Sequence, residues 1–302
     1  MKKNTLFLLI LVSMLWGTAF PLLKQTTVDT PTSMVLALRF TLAGIVLTAL
    51  FWRRIRENFS WRLLRDVFIV STVQYADYFC YAYGMNFTTS INGGFYSGVP
   101  LLFLPFIVFF LDKQPLKGQK LWAVGIILSG MFLLASDGGR ITFKSGDLLC
   151  LTASALFALY IALTGRGGLA KQEPTTKAAL QMLCVAFWAW LTGIFTGDIS
   201  AIGQIGAHSW RNIVLLGLFC TATAYSLQIY AQDRVKPLPA AIIYAAMPLF
   251  AALASMLILG ERLGVLGIIG GLLIVGGIIA REVAVSRSAQ AESAEPAETA
   301  NP

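Results

Sequence analysis

The chain has 302 residues, 57% of them hydrophobic and 13% charged, with a net charge of +8. A soluble domain is about 25% charged, so this chain has too little polar surface to coat a globule in water. That excludes a soluble enzyme, a nucleic-acid-binding domain or a disordered scaffold as its main body.

In chain order, apolar runs bounded by charges or turn residues predict helices over 5–23, 33–52, 66–85, 91–111, 119–136, 146–165, 175–196, 210–231, 237–259 and 263–281. A span needs roughly 20 apolar residues, so the expectation is an all-α membrane protein with ten transmembrane helices. Met1-Lys2-Lys3 imitates a signal peptide, but the apolar run behind it is longer than a signal core. It reads as a retained first helix. Gly260-Glu261-Arg262 is the only break in a 45-residue apolar stretch and predicts a tight helical hairpin. Residues 286–302 are rich in Ala, Glu, Ser and Pro with no apolar period and are expected to be a disordered cytoplasmic tail.

Lys and Arg gather in cytoplasmic loops. With the N-terminus inside, seventeen fall on inner segments, and five (Lys24, Arg140, Lys144, Arg211 and Arg262) fall on outer ones. Both termini are therefore expected in the cytoplasm, with the chain multi-pass in the plasma (inner) membrane. The basic excess then needs no nucleic acid. Cys80, Cys150, Cys184 and Cys220 sit in apolar runs without metal-ligand or redox-motif spacing. Neither a metal nor a cofactor is expected, and no catalytic residues.

The halves repeat. Tyr96-Ser-Gly-Val-Pro100 matches Tyr244-Ala-Ala-Met-Pro248 at an offset of 148, and Gly130 matches Gly277 at 147. Gln74, Tyr78 and Tyr81 recur as Thr221, Tyr225 and Gln228, again at 147. Five spans per copy is an odd number, so the second copy must enter the membrane inverted. Inverted repeats are typical of secondary transporters, whose substrate site lies near the midplane between the copies. The expected units are residues 1–136 and 137–285.

Trp16-Gly17-Thr18-Ala19-Phe20, Arg39-Phe40, Pro100, and Pro248 with Leu259-Gly260-Glu261-Arg262-Leu263 give the chain a specific resemblance. It resembles EamA-type members of the drug/metabolite transporter superfamily over residues 5–281. The first-half hairpin departs from that pattern, with Gln114 where the resemblance implies Glu. The resemblance implies transport of small organic solutes without ATP hydrolysis, often export of amino acids or related metabolites. Uptake remains an alternative, as does a non-transporting receptor or scaffold.

Asp77 is the one carboxylate deep in a span. Eleven residues from Asp66 place it roughly 16 Å into the membrane, near the middle of a core about 30 Å thick. An intramembrane carboxylate is a functional candidate by default. It could bind a substrate amine, carry a proton for coupling, or pair structurally with Arg39. Gln74, Asp77, Tyr78 and Tyr81 share one face of the third helix, while Thr221, Tyr225, Gln228 and Gln232 share one face of the eighth. These stripes are expected to form opposite walls of one cavity. Tyr96 and Tyr244 lie four residues before a proline, where the carbonyl loses its helical partner. Trp16 and Phe20 share a face and could stack on substrate. The candidate substrate-binding set is Asp77, Gln74, Tyr78, Tyr81, Tyr96, Tyr225, Gln228, Tyr244 and Trp16. The glycines of the tenth helix read as packing within the bundle or as a homodimer face, so both monomer and homodimer stay open.

Overall fold

The computed structural model describes residues 3–113, 121–136, 144–232 and 243–294. Every regular element among them is helical. In chain order these are α1 (Lys3–Thr26), α2 (Thr32–Asn58), α3 (Trp61–Gly84), α4 (Ser90–Gly98), α5 (Pro100–Asp112), α6 (Leu121–Ala135) and α7 (Ser145–Thr164). Then come α8 (Gly167–Ala170), α9 (Pro174–Thr196), α10 (Ala207–Gly217), α11 (Ala224–Gln232), α12 (Met247–Leu259) and α13 (Val265–Ala294). Gln114 and Gln232's side chain lie outside what is described.

Five segments are long and apolar enough to cross a membrane: Thr5–Thr26, Thr32–Asn58, Ser90–Leu111, Ser145–Thr164 and Pro174–Thr196. Trp122–Leu134, Met247–Leu259 and Val265–Ala280 are shorter apolar helices. Their outward faces are greasy; Phe110, Phe195 and Leu257 are all largely exposed. Such surface needs a lipid solvent.

The fourth predicted helix is broken. α4 ends at Gly98 and α5 starts at Pro100, because a proline has no N–H for the preceding turn. The ninth breaks in the same way, with a turn at Ala245–Ala246 before α12 and Pro248. Gly260 closes α12 at φ 66°, a left-handed conformation that glycine adopts without steric cost. The eighth helix carries a π turn over Leu218–Thr223 that joins α10 to α11. The tail departs from expectation, because α13 stays helical as far as Ala294. Ala289, Gln290, Ala291 and Glu292 are all good helix formers, and a low apolar content did not prevent propagation from the span.

Contacts between helices echo the sequence repeat. α2 packs on α9 and α6 on α13. α3 packs on α7 as α11 packs on α1, and α5 packs on α7 as α12 packs on α1. A Cβ on Gly130 would meet the Gly270 carbonyl at 2.7 Å, and one on Gly270 would meet the Gly130 carbonyl at 2.4 Å. These glycines let α6 and α13 approach backbone to backbone, as small residues do in membranes.

Candidate functional site

A central cavity lies among α1, α2, α3, α7 and the α4–α5 break. It offers about 90 Å³ to the centres of water-sized atoms, room for roughly half a dozen waters. Trp16, Phe20 and Leu23 line it from α1, Leu36 and Arg39 from α2, and Asp77, Tyr78 and Tyr81 from α3. Tyr96, Ser97 and Pro100 come from the break, Ser154 and Phe157 from α7, and Met247 from α12.

Asp77 is 7% exposed and Arg39 4% exposed. They do not pair, which corrects the expectation of a structural ion pair. Arg39 Nε instead donates to Thr221 Oγ1 at 2.7 Å. Thr221 Oγ1 donates in turn to the Leu216 carbonyl at 2.7 Å, five residues back across the π turn. The guanidinium carbon lies 5.1 Å from the Phe40 ring centroid and 5.8 Å from that of Tyr78, within cation–π range. The guanidinium is therefore held by a hydroxyl and two rings. Asp77 accepts no hydrogen bond and forms no ion pair among the described residues.

The two polar stripes do not face each other across the cavity, a second correction. They meet. The hydroxyls of Tyr78 and Tyr225 are in hydrogen-bond contact, and Gln74 Nε2 donates to Tyr225 Oη at 2.7 Å. The half-buried Tyr78 hydroxyl and the buried Tyr225 hydroxyl satisfy each other here. Gln74, Tyr225 and Gln228 consequently sit beside the cavity as a packed polar layer rather than on its wall. Gln228 is 4% exposed and its Oε1 has no hydrogen-bond partner among the described residues. Tyr244 lines a smaller pocket with Ser97, Pro100 and Phe157. Trp16 joins the groups, with its ring centroid 5.5 Å from Tyr225, 5.2 Å from Tyr244 and 6.3 Å from Phe157. Five of the nine predicted residues therefore line the cavity: Asp77, Tyr78, Tyr81, Tyr96 and Trp16.

The sequence reading missed Ser154 and Phe157. Ser154 Oγ donates at 2.6 Å to the Tyr96 carbonyl, the acceptor that Pro100 leaves without its helical donor. Ser13 Oγ donates at 3.3 Å to the Ile243 carbonyl, beside the second break. A hydroxyl in the middle of an otherwise apolar helix was the available signal. At one end of the bundle, Lys24 Nζ donates to the Met85 carbonyl at 3.0 Å and also to that of Thr88. Thr88 Oγ1 donates to Asp147 Oδ1 at 2.5 Å. These bonds tie α1, the α3–α4 loop and α7 together. No cluster of three metal-ligating side chains occurs among the described residues.

The profile of the EamA-like transporter family matches this chain twice, over residues 3–136 and again over 144–280. The chain belongs to the EamA-like transporter family. It is a multi-pass membrane protein, a transporter by family. It is 24% identical over 255 residues to an uncharacterized transporter of Archaeoglobus fulgidus, covering 84% of this chain and 78% of that one. It is also 24% identical over 247 residues to the uncharacterized transporter YetK of Bacillus subtilis, covering 76% of this chain and 72% of YetK. The threonine/homoserine exporter RhtA of Salmonella typhimurium is 30% identical over 164 residues, about half of each chain (52% and 51%). A solved crystal structure superimposes on this EamA-like transporter with a TM-score of 0.76, covering 95% of this chain and 99% of that one. At 18% identity, that likeness concerns the fold alone.

Proposed function

We propose that this EamA-like transporter exports amino acids or related small zwitterions across the inner membrane by alternating access. The observation that carries the reading is a cavity with one carboxylate and one guanidinium that do not neutralise each other. An unpaired carboxylate at membrane depth costs at least ~2.5 kcal/mol on insertion scales. A ligand ammonium would supply its missing partner, and the ligand carboxylate would find the Arg39 terminal nitrogens, which donate no hydrogen bond among the described residues. Trp16, Phe20 and Phe157 would cover an apolar side chain. A proton and a substrate ammonium would compete for Asp77, so the reading includes exchange of substrate for protons.

The transport unit in this reading is ten spans in two inverted repeats. Two family matches, five predicted spans to each copy and the echoed contacts support it. The Lys/Arg bias supports cytoplasmic termini, and RhtA's name supports export. One chain suffices, since the close glycine contact of α13 is made to its own α6.

Counterflow in proteoliposomes tests the reading. Vesicles loaded with neutral amino acids should accumulate the labelled compound, and those loaded with amines or carboxylates alone should not. Counterflow of carboxylates or amines but of no zwitterion would overturn it.

A further inference from the structure

The corner between α2 and α3 is rich in exposed arginine and large aromatic side chains. α2 kinks at Phe51, whose φ of −112° and ψ of 17° leave the helical range, and then runs on to Asn58. That short arm and the start of α3 hold Arg53, Arg54, Arg56, Arg62 and Arg65, all exposed. Arg54 lies 3.7 Å from Glu173, and Arg65 lies 2.8 Å from Asp66. Arg53, Arg56 and Arg62 have no acidic partner among the described residues. Large aromatics stand between them: Trp52 is 58% exposed, Phe59 40% and Trp61 78%. Phe59 and Trp61 pack edge to face at 5.6 Å.

We propose that this corner binds the phosphate headgroups of anionic phospholipids. The proposal rests on the chain's being a membrane protein and is independent of what it transports. Arginine is suited to phosphate because its planar fork makes two parallel charge-assisted bonds. Tryptophan settles at headgroup level, where one edge is apolar and the other wet. The two residue types interleave here, and the apolar flank continues up α2 through Leu50, 69% exposed. A soluble phosphate would use the arginines and leave the indoles in water. A lipid uses both. The kink at Phe51 turns the arm away from the span's direction just where the apolar residues end, which sets the arginines beside lipid headgroups.

Each basic residue near an anionic surface contributes about 1 kcal/mol, or roughly a five-fold preference. The purified full chain would be given equal phosphatidylglycerol and phosphatidylcholine in detergent, and the retained lipid read by native mass spectrometry. Phosphatidylglycerol should be retained preferentially and should raise the unfolding midpoint, while inorganic phosphate should do neither. The triple change Arg53→Gln, Arg56→Gln and Arg62→Gln should reduce the preference more than roughly five-fold. Should the triple variant fail to assemble, Arg62→Gln alone should reduce it about five-fold. An undiminished preference in the variant that assembles would overturn the proposal. So would a stabilisation by inorganic phosphate equal to that by the lipid.

Discussion

Tyr78 of α3 and Tyr225 of α11, 147 positions apart, meet hydroxyl to hydroxyl. That separation equals the offset of the internal repeat, so equivalent side chains of the two copies touch each other. Their partners are unequal. Tyr225 also receives the Gln74 amide at 2.7 Å, whereas the Tyr78 hydroxyl rests on Tyr225. Tyr225→Phe therefore takes a partner from the buried Gln74 amide and from Tyr78, whose half-buried hydroxyl still lines the cavity, and Tyr78→Phe leaves Tyr225 still bonded to Gln74. A stranded buried group costs about 1–3 kcal/mol. Tyr225→Phe should lower the thermal unfolding midpoint more than Tyr78→Phe, and the double variant should cost less than the sum. Equal single effects that add would show that the contact does not couple the two residues.

The glycines of α13 make a prediction with its own control. A Cβ on Gly270 would meet the Leu134 amide nitrogen at 2.4 Å, while one on Gly276 would meet nothing within 4 Å. Gly270→Ala should destabilise by about 1–3 kcal/mol through overpacking, with a fall in membrane abundance. Gly276→Ala should be neutral or slightly favourable, since alanine is the better helix former. Similar losses at both positions would refute the α6–α13 contact.

Much of this was legible in the sequence, and the failures have physical causes. Helices cover all ten predicted apolar segments where they are described, because apolar length is a one-dimensional property. Pro100 and Pro248 marked both breaks for the same reason. The partner of Arg39 was not legible. Opposite charges at similar depth suggested Asp77, but the π turn at Leu218–Thr223 turns Thr221 toward Arg39, and a single inserted residue in a helix leaves no periodic trace. Equivalent stripes on α3 and α11 could have meant facing walls or a contact. The choice depends on how closely the two helices pack, which the pattern of each alone does not contain.

That distinction is measurable. In a background lacking the four native cysteines, cysteine at Phe157 or Tyr81 should react with a small water-borne thiol reagent, and substrate should slow it. Cysteine at Gln228 or Tyr225, in the packed layer, should react at least roughly tenfold more slowly, since those positions are reached only through local opening. Equal rates at all four would place the polar layer on the cavity wall after all.

Glu173 gives the fold a pH dependence outside the membrane. Burial alone would raise its carboxyl pKa, but hydrogen bonds from Thr175 and Thr176 outweigh that and hold it below its ordinary value of 4.5. The Thr176 amide donates at 2.6 Å, capping the start of α9. A carboxyl with a lowered folded-state pKa contributes fully above its unfolded pKa, and that contribution is lost as the pH falls through the folded value. Glu173→Ala should cost about 0.5–2 kcal/mol at neutral pH, and the gap to wild type should close in acid below 4.5. A gap that stays constant from neutral pH to acid would mean that the ionised carboxylate is not the cap.

Asp77 tests the transport reading most directly. Arg39 rests on Thr221 at 2.7 Å, so Asp77→Asn breaks no ion pair and also removes a carboxylate that is costly at membrane depth. Membrane abundance of Asp77→Asn should equal or exceed that of wild type. Transport should fall at least roughly 30-fold, the loss expected when one partner of a buried charge contact worth 2 kcal/mol or more is removed. Arg39→Gln should lower transport and also some abundance, because it disturbs the bond to Thr221 across the π turn. Adding Arg39→Gln to Asp77→Asn should not restore transport. Immunoblots of membranes alongside counterflow in proteoliposomes would separate the two effects. A drop in Asp77→Asn abundance that Arg39→Gln restores would mean that the two charges do pair in the membrane, and the free dipolar cavity would have to be abandoned as the substrate site.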